Sequence, residues 1–147
     1  MEVRQKAEKL FKSVKTFIIS CVDENGYPMT KAVVPSLHRK GLGEIYFYTN
    51  TSSKFAQAIS KNPKSSVYFY SKKFIFVWKG CYLQGTMEVV EDPKIKEKYW
   101  NKLYKNAYEE KSWTDPDFCL LRFTAKHGRF YSSFKPESFE IESKGVE

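Results

Sequence analysis

Apolar positions Val3, Ala7, Leu10, Phe11 and Val14 fall close to helical spacing, so the chain opens with a helix over about residues 2–14. The period then shortens. The run TFIISCV is β-branched and aromatic, DENGYP supplies an Asn25-Gly26 turn, and MTKAVVPSLH follows as a second strand; this is the strongest hairpin signal in the sequence. RKGLGE makes another turn and EIYFYT a third strand. From Ser53 to Lys61 the pattern is helical again, with Phe55, Ala58 and Ile59 on one face and Asn62-Pro63 as the stop. SSVYFYS and the long run FIFVWKGCYLQGTMEVV read as strands, with Gly80 and Gly85 as bulge or bend points. Asp92-Pro93 is an N-cap and first-turn pair, and behind it Ile95, Tyr99 and Leu103 recur on one helical face. DFCLLRFTAKHGRFYSSF predicts a closing hairpin that turns near His127-Gly128, and SFEIE adds an edge strand. With no internal repeat and no low-complexity linker, the pattern predicts one mainly β domain over residues 1–147: an N-terminal helix, a small antiparallel barrel over about 16–135, a few short α-helices and a short C-terminal tail.

Composition sharpens this in two places. Twelve Phe, ten Tyr and three Trp are more rings than ordinary usage supplies, which fits β-structure with aromatics left over for a ligand or partner surface. The net charge of +8 favours anionic partners, whether nucleic acid, a membrane surface or a small phosphorylated ligand. The lysines are scattered, with runs no longer than pairs such as Lys72-Lys73, so a solvated surface accounts for most of them. Cys21, Cys81 and Cys119 are far apart and form no C-x-x-C pair, which argues against a disulfide framework or a metal site and for reduced thiols in a cytoplasmic protein. Cys119 lies in the apolar run FCLL and reads as a small buried hydrophobe. No apolar stretch is long enough to span a bilayer, and no membrane association is expected.

The chemistry concentrates at TNTSSK, where a strand stops and a helix starts at once. A helix start carries unpaired N–H groups and the positive end of the dipole, and here Thr49, Ser52 and Ser53 add hydroxyls while Lys54 adds a charge: the ingredients of a phosphate site. The same six residues also read as a serine cap beside an exposed lysine, and they lack the glycines of a Walker loop. Elsewhere no catalytic set is visible. His38 and His127 fall in or beside turns without an obvious Ser, Cys or carboxylate partner, Asp23-Glu24 reads as a solvated turn pair, and Asp115 and Asp117 flank Pro116 as turn residues leading into a strand. An outer aromatic face on a basic barrel would also suit a nucleic-acid-binding module that stacks single-stranded bases. The RNP-type pattern is missing and the basic residues are not gathered beside the rings, which weighs against nucleic acid.

The order of these pieces (NG turn, YPMTKAVVP, IYFYT, NTSSK, NP, VYFY) resembles the split-barrel flavoproteins of the pyridoxamine 5′-phosphate oxidase-like superfamily. Within it the chain is most similar to the general stress protein 26 branch, over about residues 10–135, through T-x-x-x-S-K ending in Asn-Pro, G-x-P-x-x-(Arg/Lys), and DPDFCLLRFTAKHGRFY. The resemblance implies a six-stranded antiparallel Greek-key split β-barrel that binds FMN at the interface of a two-fold homodimer. By it, Thr49, Ser53 and Lys54 hold the flavin phosphate and Lys31 lies near the phosphate and ribityl chain. Ala32 and Val33 offer backbone groups to the isoalloxazine edge, Tyr48 lines the groove, and Tyr131 or its neighbour Phe130 covers the flavin from the partner subunit, where relatives carry a Trp. Lys31 in place of the usual Arg gives up a bidentate fork. The Arg/His-rich C-terminal segment of true pyridoxamine phosphate oxidases is missing from SSFKPESFEIESKGVE, so the implied activity is that of a flavin reductase or electron-transfer protein with NAD(P)H or another donor, its substrate open and its catalytic residues unassigned. A link to stress response is implied by family likeness alone. Haem or a deazaflavin is the alternative within the family, and the phosphate loop favours a phosphorylated flavin over haem.

Overall fold

The computed structural model describes residues 1–36 and 38–141; Leu37 and the last part of the expected C-terminal tail, 142–147, lie outside them. Its elements follow the sequence pattern: α1 (Val3–Ser13), β1 (Phe17–Val22), β2 (Pro28–Val33), β3 (Glu44–Asn50), α2 (Lys54–Lys61), β4 (Lys64–Phe74), β5 (Val77–Val90), α3 (Pro93–Tyr99), a 3-10 turn (Lys102–Ala107), β6 (Phe118–Ser132) and β7 (Lys135–Glu140).

Six strands lie in the order β2-β1-β4-β5-β6-β3, and β7 adds to β6. All pairings are antiparallel. β3 follows β2 in the chain yet sits at the far end of the sheet, which is the Greek-key crossing. Among the described residues the ladders stop short of closure: just past β2, the Pro35–Phe47 bridge reaches β3, and Ser36 N donates to Tyr46 O at 2.8 Å. This is the split barrel expected from the sequence, with β7 as the expected extra edge strand.

Burial alternates along the strands, as period-two side chains require. Phe17, Ile19 and Cys21 on β1, and Val67 and Phe69 on β4, point into one core. Phe17 stacks on Phe69 at 4.8 Å, and Phe11 of α1 meets Phe69 edge-on at 5.8 Å. α2 closes the end of the core with Phe55, Ala56, Ala58 and Ile59, the face its spacing predicts. A second cluster lies outside the sheet, where the segment after β5 folds back and stacks Tyr99 on Tyr46 at 3.8 Å.

Three sequence expectations are corrected. The last hairpin does not turn at His127-Gly128. β6 runs straight through both residues, and the turn falls at Ser133, which takes φ 55°. Gly128 is there for space: a Cβ on it would stand 2.4 Å from the ring of Phe139 on β7. His127 therefore lies in a strand and does have a carboxylate partner, with Nδ1 2.5 Å from Glu140 Oε1. Leu103 leaves the apolar face of α3, because Trp100 turns extended (ψ 136°) and Asn101 caps a new turn by accepting from Leu103 N at 2.9 Å. Leu103 is 77% exposed as a result. Finally, Phe74 ends β4, so the long apolar run begins with a turn at Ile75-Phe76 and strand β5 starts at Val77.

Of the two glycines expected at bends, Gly85 marks the bulge: Gln84 pairs with His127 but Gly85 with Ala125, leaving Lys126 as the extra residue on β6. Gly80 keeps the register and makes room for the Tyr68 hydroxyl, which would lie 2.3 Å from a Cβ there. At Gly85 a Cβ would sit 1.9 Å from the backbone carbonyl oxygen of Thr124, and backbone cannot swing aside. Gly85→Ala is expected to destabilise the protein by about 3 kcal/mol, read as a lower urea midpoint at unchanged slope.

Candidate functional site

The junction between β3 and α2 is built by strand alternation. On β3, Ile45, Phe47 and Thr49 face inward, so the inward row ends in a hydroxyl at the rim of the barrel. On β2, Lys31 pairs with Ile19 and shares its inward face, placing an ammonium at the same rim. The two meet: Lys31 Nζ donates to Thr49 Oγ1 at 2.8 Å, and Thr49 Oγ1 lies 3.3 Å from Ser53 Oγ. Ser53 is the N-cap of α2 and accepts from Ala56 N at 3.1 Å. Behind them the Phe55 ring lies 5.1 Å from Lys31 Nζ, a cation–π contact.

A lock that the sequence reading missed holds the loop between them. Asp117 accepts from Ser52 N at 3.0 Å and from Asn50 Nδ2 at 2.5 Å, while its own carbonyl takes Thr51 N at 3.0 Å. The Asn50 bond first, and the Ser52 bond second, hold this carboxyl below the usual aspartate range. Asp115, 4% exposed, accepts from Asp117 N and Glu110 N, each at 2.8 Å. Tyr108 donates to Thr49 O at 2.8 Å. Asp115 and Asp117 are thus turn and strand-start residues, as their place around Pro116 predicts. The D-P-D motif was visible in the sequence, but its target 65 residues upstream was not.

The locked loop leaves a specific donor set. Ser52 N–H is consumed by Asp117, whereas the first-turn N–H groups of Lys54 and Phe55 have no upstream carbonyl to bond. The exposed Lys54 follows directly, and the Asp117 carboxylate is occupied by Ser52 N and Asn50 Nδ2. Lys31 forms no salt bridge among the described residues. Its pKa is lowered, chiefly by burial, with the nearby thiols of Cys119 and Cys21 acting weakly the other way. An anion set against Thr49, Ser53 and Lys54 would supply the counter-charge that Lys31 lacks.

The remaining expected residues divide. Ala32 is exposed and Val33 buried on β2, an end strand whose outer edge has free backbone groups beyond the single bridge at Pro35. Tyr48 points to the opposite face from Thr49. Its hydroxyl lies 3.3 Å from Ser36 Oγ and also donates to Tyr99 O, and burial pushes its pKa up. Tyr48 therefore does not join the Lys31–Thr49–Ser53 cluster. Tyr131 is further still. It pairs with Gly80, whereas Thr49 pairs with Cys119 on the same strand β6; those twelve intervening steps are roughly 40 Å of strand. Its ring packs 6.1 Å from Trp78. Within one subunit Tyr131 and the knot are not one site.

No cysteine offers a nucleophile. All three thiols are free and buried, and burial pushes Cys119 up to about 11 and Cys81 up to about 12. No helix among the described residues is long and apolar enough to cross a membrane. Beside the knot, a cleft of about 610 Å³ opens between the β1–β2 turn and α2, with Lys54 on its wall.

Because the folded pKa of Lys31 lies below its ordinary 10.5, the unfolded chain holds this proton more tightly and charged Lys31 opposes folding. Stability contributed here rises as pH climbs through the lowered value towards 10.5. Lys31→Met should stabilise the apoprotein, by under about 1 kcal/mol because water screens a half-buried group, and should remove that alkaline gain. Urea midpoints at neutral and alkaline pH read both effects.

The chain matches the family "Pyridoxamine 5'-phosphate oxidase" over residues 3–132. A curated pyridoxine/pyridoxamine 5′-phosphate oxidase of Legionella pneumophila is 44% identical over 55 residues, which are 36% of this chain and only 24% of that enzyme. Among solved structures, a Clostridium acetobutylicum protein related to general stress protein 26 of B. subtilis superposes with a TM-score of 0.80 at 32% identity, covering 93% of both chains. A haem-binding protein of Mycobacterium smegmatis shares the fold at a TM-score of 0.76 and 12% identity, covering 95% of this chain and 58% of that one. With a family match over residues 3–132 and a relative of this likeness along nearly its whole length, the chain belongs to the pyridoxamine 5′-phosphate oxidase family, in the branch related to general stress protein 26.

Proposed function

We propose that this chain is an FMN-binding flavoprotein of the oxidoreductase or flavin-reductase kind, acting as a homodimer. The observation that carries the reading is the hydrogen-bonded row Lys31–Thr49–Ser53 at the start of α2, with Lys54 beside it and the neighbouring Asp117 carboxylate bonded to Ser52 N and Asn50. Bound there, the flavin would supply two-electron redox chemistry that no side chain of this protein offers. The protein's own part is to bind and orient. Lys31 and Lys54 neutralise the phosphate, the Thr49 and Ser53 hydroxyls and the first-turn N–H groups fix its position, and the free edge of β2 at Ala32 and Val33 presents backbone groups to the ring edge.

Dimerisation has its own support on the surface. The β4–β5 and β6–β7 turns lie together, with Ser133 Oγ donating to Phe76 O at 2.7 Å. They expose Phe74 (72%), Ile75 (74%), Phe76 (69%) and Phe134 (71%), large apolar side chains gathered at one end of the sheet, which a partner surface would cover. A second copy seated there would complete the site with Tyr131 of the partner subunit, the role one subunit alone cannot give it. The electron donor, NAD(P)H or another, approaches the face of the flavin left open. Vitamin B6 oxidation is not proposed, since the match to the Legionella enzyme covers 36% of this chain and only 24% of that enzyme.

The visible spectrum of the purified protein, with FMN added if it is colourless, tests this. Paired flavin bands at one FMN per chain are expected; a Soret band on adding haem, with no response to FMN, would replace the reading with the haem chemistry of the M. smegmatis neighbour. Lys54→Ala should weaken FMN about thirtyfold, the loss of one charge-assisted contact of about 2 kcal/mol, and unchanged affinity would reduce the knot to a helix cap. Light scattering of a strictly monomeric protein would remove the shared site.

A further inference from the structure

Between β5 and β6 the chain from Pro93 to Asp117 packs over the outer side of β3 and the start of β6, and among the described residues no strand of the sheet pairs with it. Side chains hold it instead. Tyr99 stacks on Tyr46 at 3.8 Å, Trp100 and Tyr108 meet the Phe118 ring edge-on at 5.0 and 5.4 Å, and the Tyr48 hydroxyl donates to Tyr99 O. Tyr46 and Tyr48 belong to β3, the strand that ends in the knot. One bond reaches the knot itself: the buried Tyr108 hydroxyl donates to Thr49 O at 2.8 Å, and Thr49 is the residue whose own hydroxyl joins Lys31 to Ser53. We propose that Tyr108 is a positioning residue for the anion site, so that docking of segment 93–117 and anion binding at the knot favour one another. The inference rests on the knot's being the site of the flavin phosphate and adds a means of regulating it.

The physical reason lies in the Thr49 carbonyl. A carbonyl oxygen carries partial negative charge and would repel a phosphate if its peptide turned towards the knot. Bonded to Tyr108 it is held, and the Thr49 side chain is held with it against Lys31 and Ser53. Burial pushes the Tyr108 pKa up to about 12, so its hydroxyl remains a donor at neutral and mildly alkaline pH. The segment itself is lightly fastened. Its buried residues are Tyr99, Tyr108 and Asp115, and the Tyr99 hydroxyl has no hydrogen-bond partner among the described residues, which works against the docked state. Few buried side chains and no ladder place such a segment at the low-stability end of a fold, where a ligand can shift its docking. Linkage makes the effect mutual: whatever docking adds to anion affinity, the anion returns to docking.

The test compares wild type with Tyr108→Phe, which keeps the ring against Phe118 and removes only the hydroxyl; thermal melting confirms that the variant is folded. Each apoprotein is titrated with FMN and with riboflavin, the same flavin without its phosphate. Tyr108→Phe should weaken FMN about tenfold and leave riboflavin within roughly twofold, since the hydroxyl acts through the phosphate site. A second measurement needs no variant: amide hydrogen exchange of the wild type with and without FMN. FMN should slow exchange over residues 99–112 by about fivefold or more, and this added protection should shrink in Tyr108→Phe. FMN affinity unchanged in the variant, or FMN and riboflavin weakened alike, overturns the positioning role and leaves the FMN reading standing. Exchange over 99–112 that FMN does not slow overturns the coupling in the same way. Wild type that binds neither flavin overturns the knot and this inference together.

Discussion

Strand β6 has to serve three partners with one backbone, and the shape of the molecule follows from how it does so. One flank bonds β5 along nearly its whole length; the other is divided, with β3 on Phe118–Thr124 and β7 on His127–Ser132. A straight ladder cannot change partners without a break. The bulge at Lys126 supplies it, and the missing Cβ at Gly85 lets the Thr124 carbonyl approach. Ile141 N then takes up the Lys126 carbonyl at 3.0 Å, so the extra residue is not left unbonded. Gly128 performs a related service one step on by admitting the Phe139 ring, which covers the core where β3 no longer can.

The start of the same strand holds the candidate site. Asp117 stands just before β6 and bonds the loop after β3, and β3 in turn is the ladder partner of β6, so the loop is fastened to the element that carries it. The position of Ser53 as a cap, and of the first free N–H groups of α2, is therefore set by contacts far apart in sequence. This is preorganisation: the donors are arranged before any anion arrives, and their ordering entropy is met by folding. Lys31 is the unfinished part. Half-buried, bonded to a neutral hydroxyl and without an acidic partner among the described residues, it is a charge the fold accommodates at some expense of stability, and that expense is intelligible when an anionic ligand recovers it on binding.

The family relationship and the fold stand on the length of the match, while the flavin is proposed from the geometry of the knot. A neighbour that binds haem on the same fold shows why the two statements differ in kind, since a barrel of this shape hosts more than one prosthetic group. What separates the possibilities is the local donor set. Hydroxyls, N–H groups and two ammonium groups suit a phosphate better than an iron, and the ring of His127 is held by Glu140 far along β6.

The sequence by itself determined the elements and the chemistry of the knot. Period-two and helical spacing are local properties, and so is a serine cap, which is why α1, α2, the NG hairpin and the D-P helix start all fall where the pattern puts them. It also carried the family, because T-x-x-x-S-K and D-P-D are short ordered strings. Tertiary structure alone decided the rest. It placed Lys31 on the inward face against Thr49, turned Tyr48 away from both, and separated Tyr131 from the knot by the length of a strand. It ran β6 through His127 and Gly128, where the local signal predicted a turn, because space for Phe139 outweighed the turn preference of a glycine. Each of these depends on register between strands distant in the chain, and a one-residue change in register reverses which face a side chain takes, so local spacing carries no record of it.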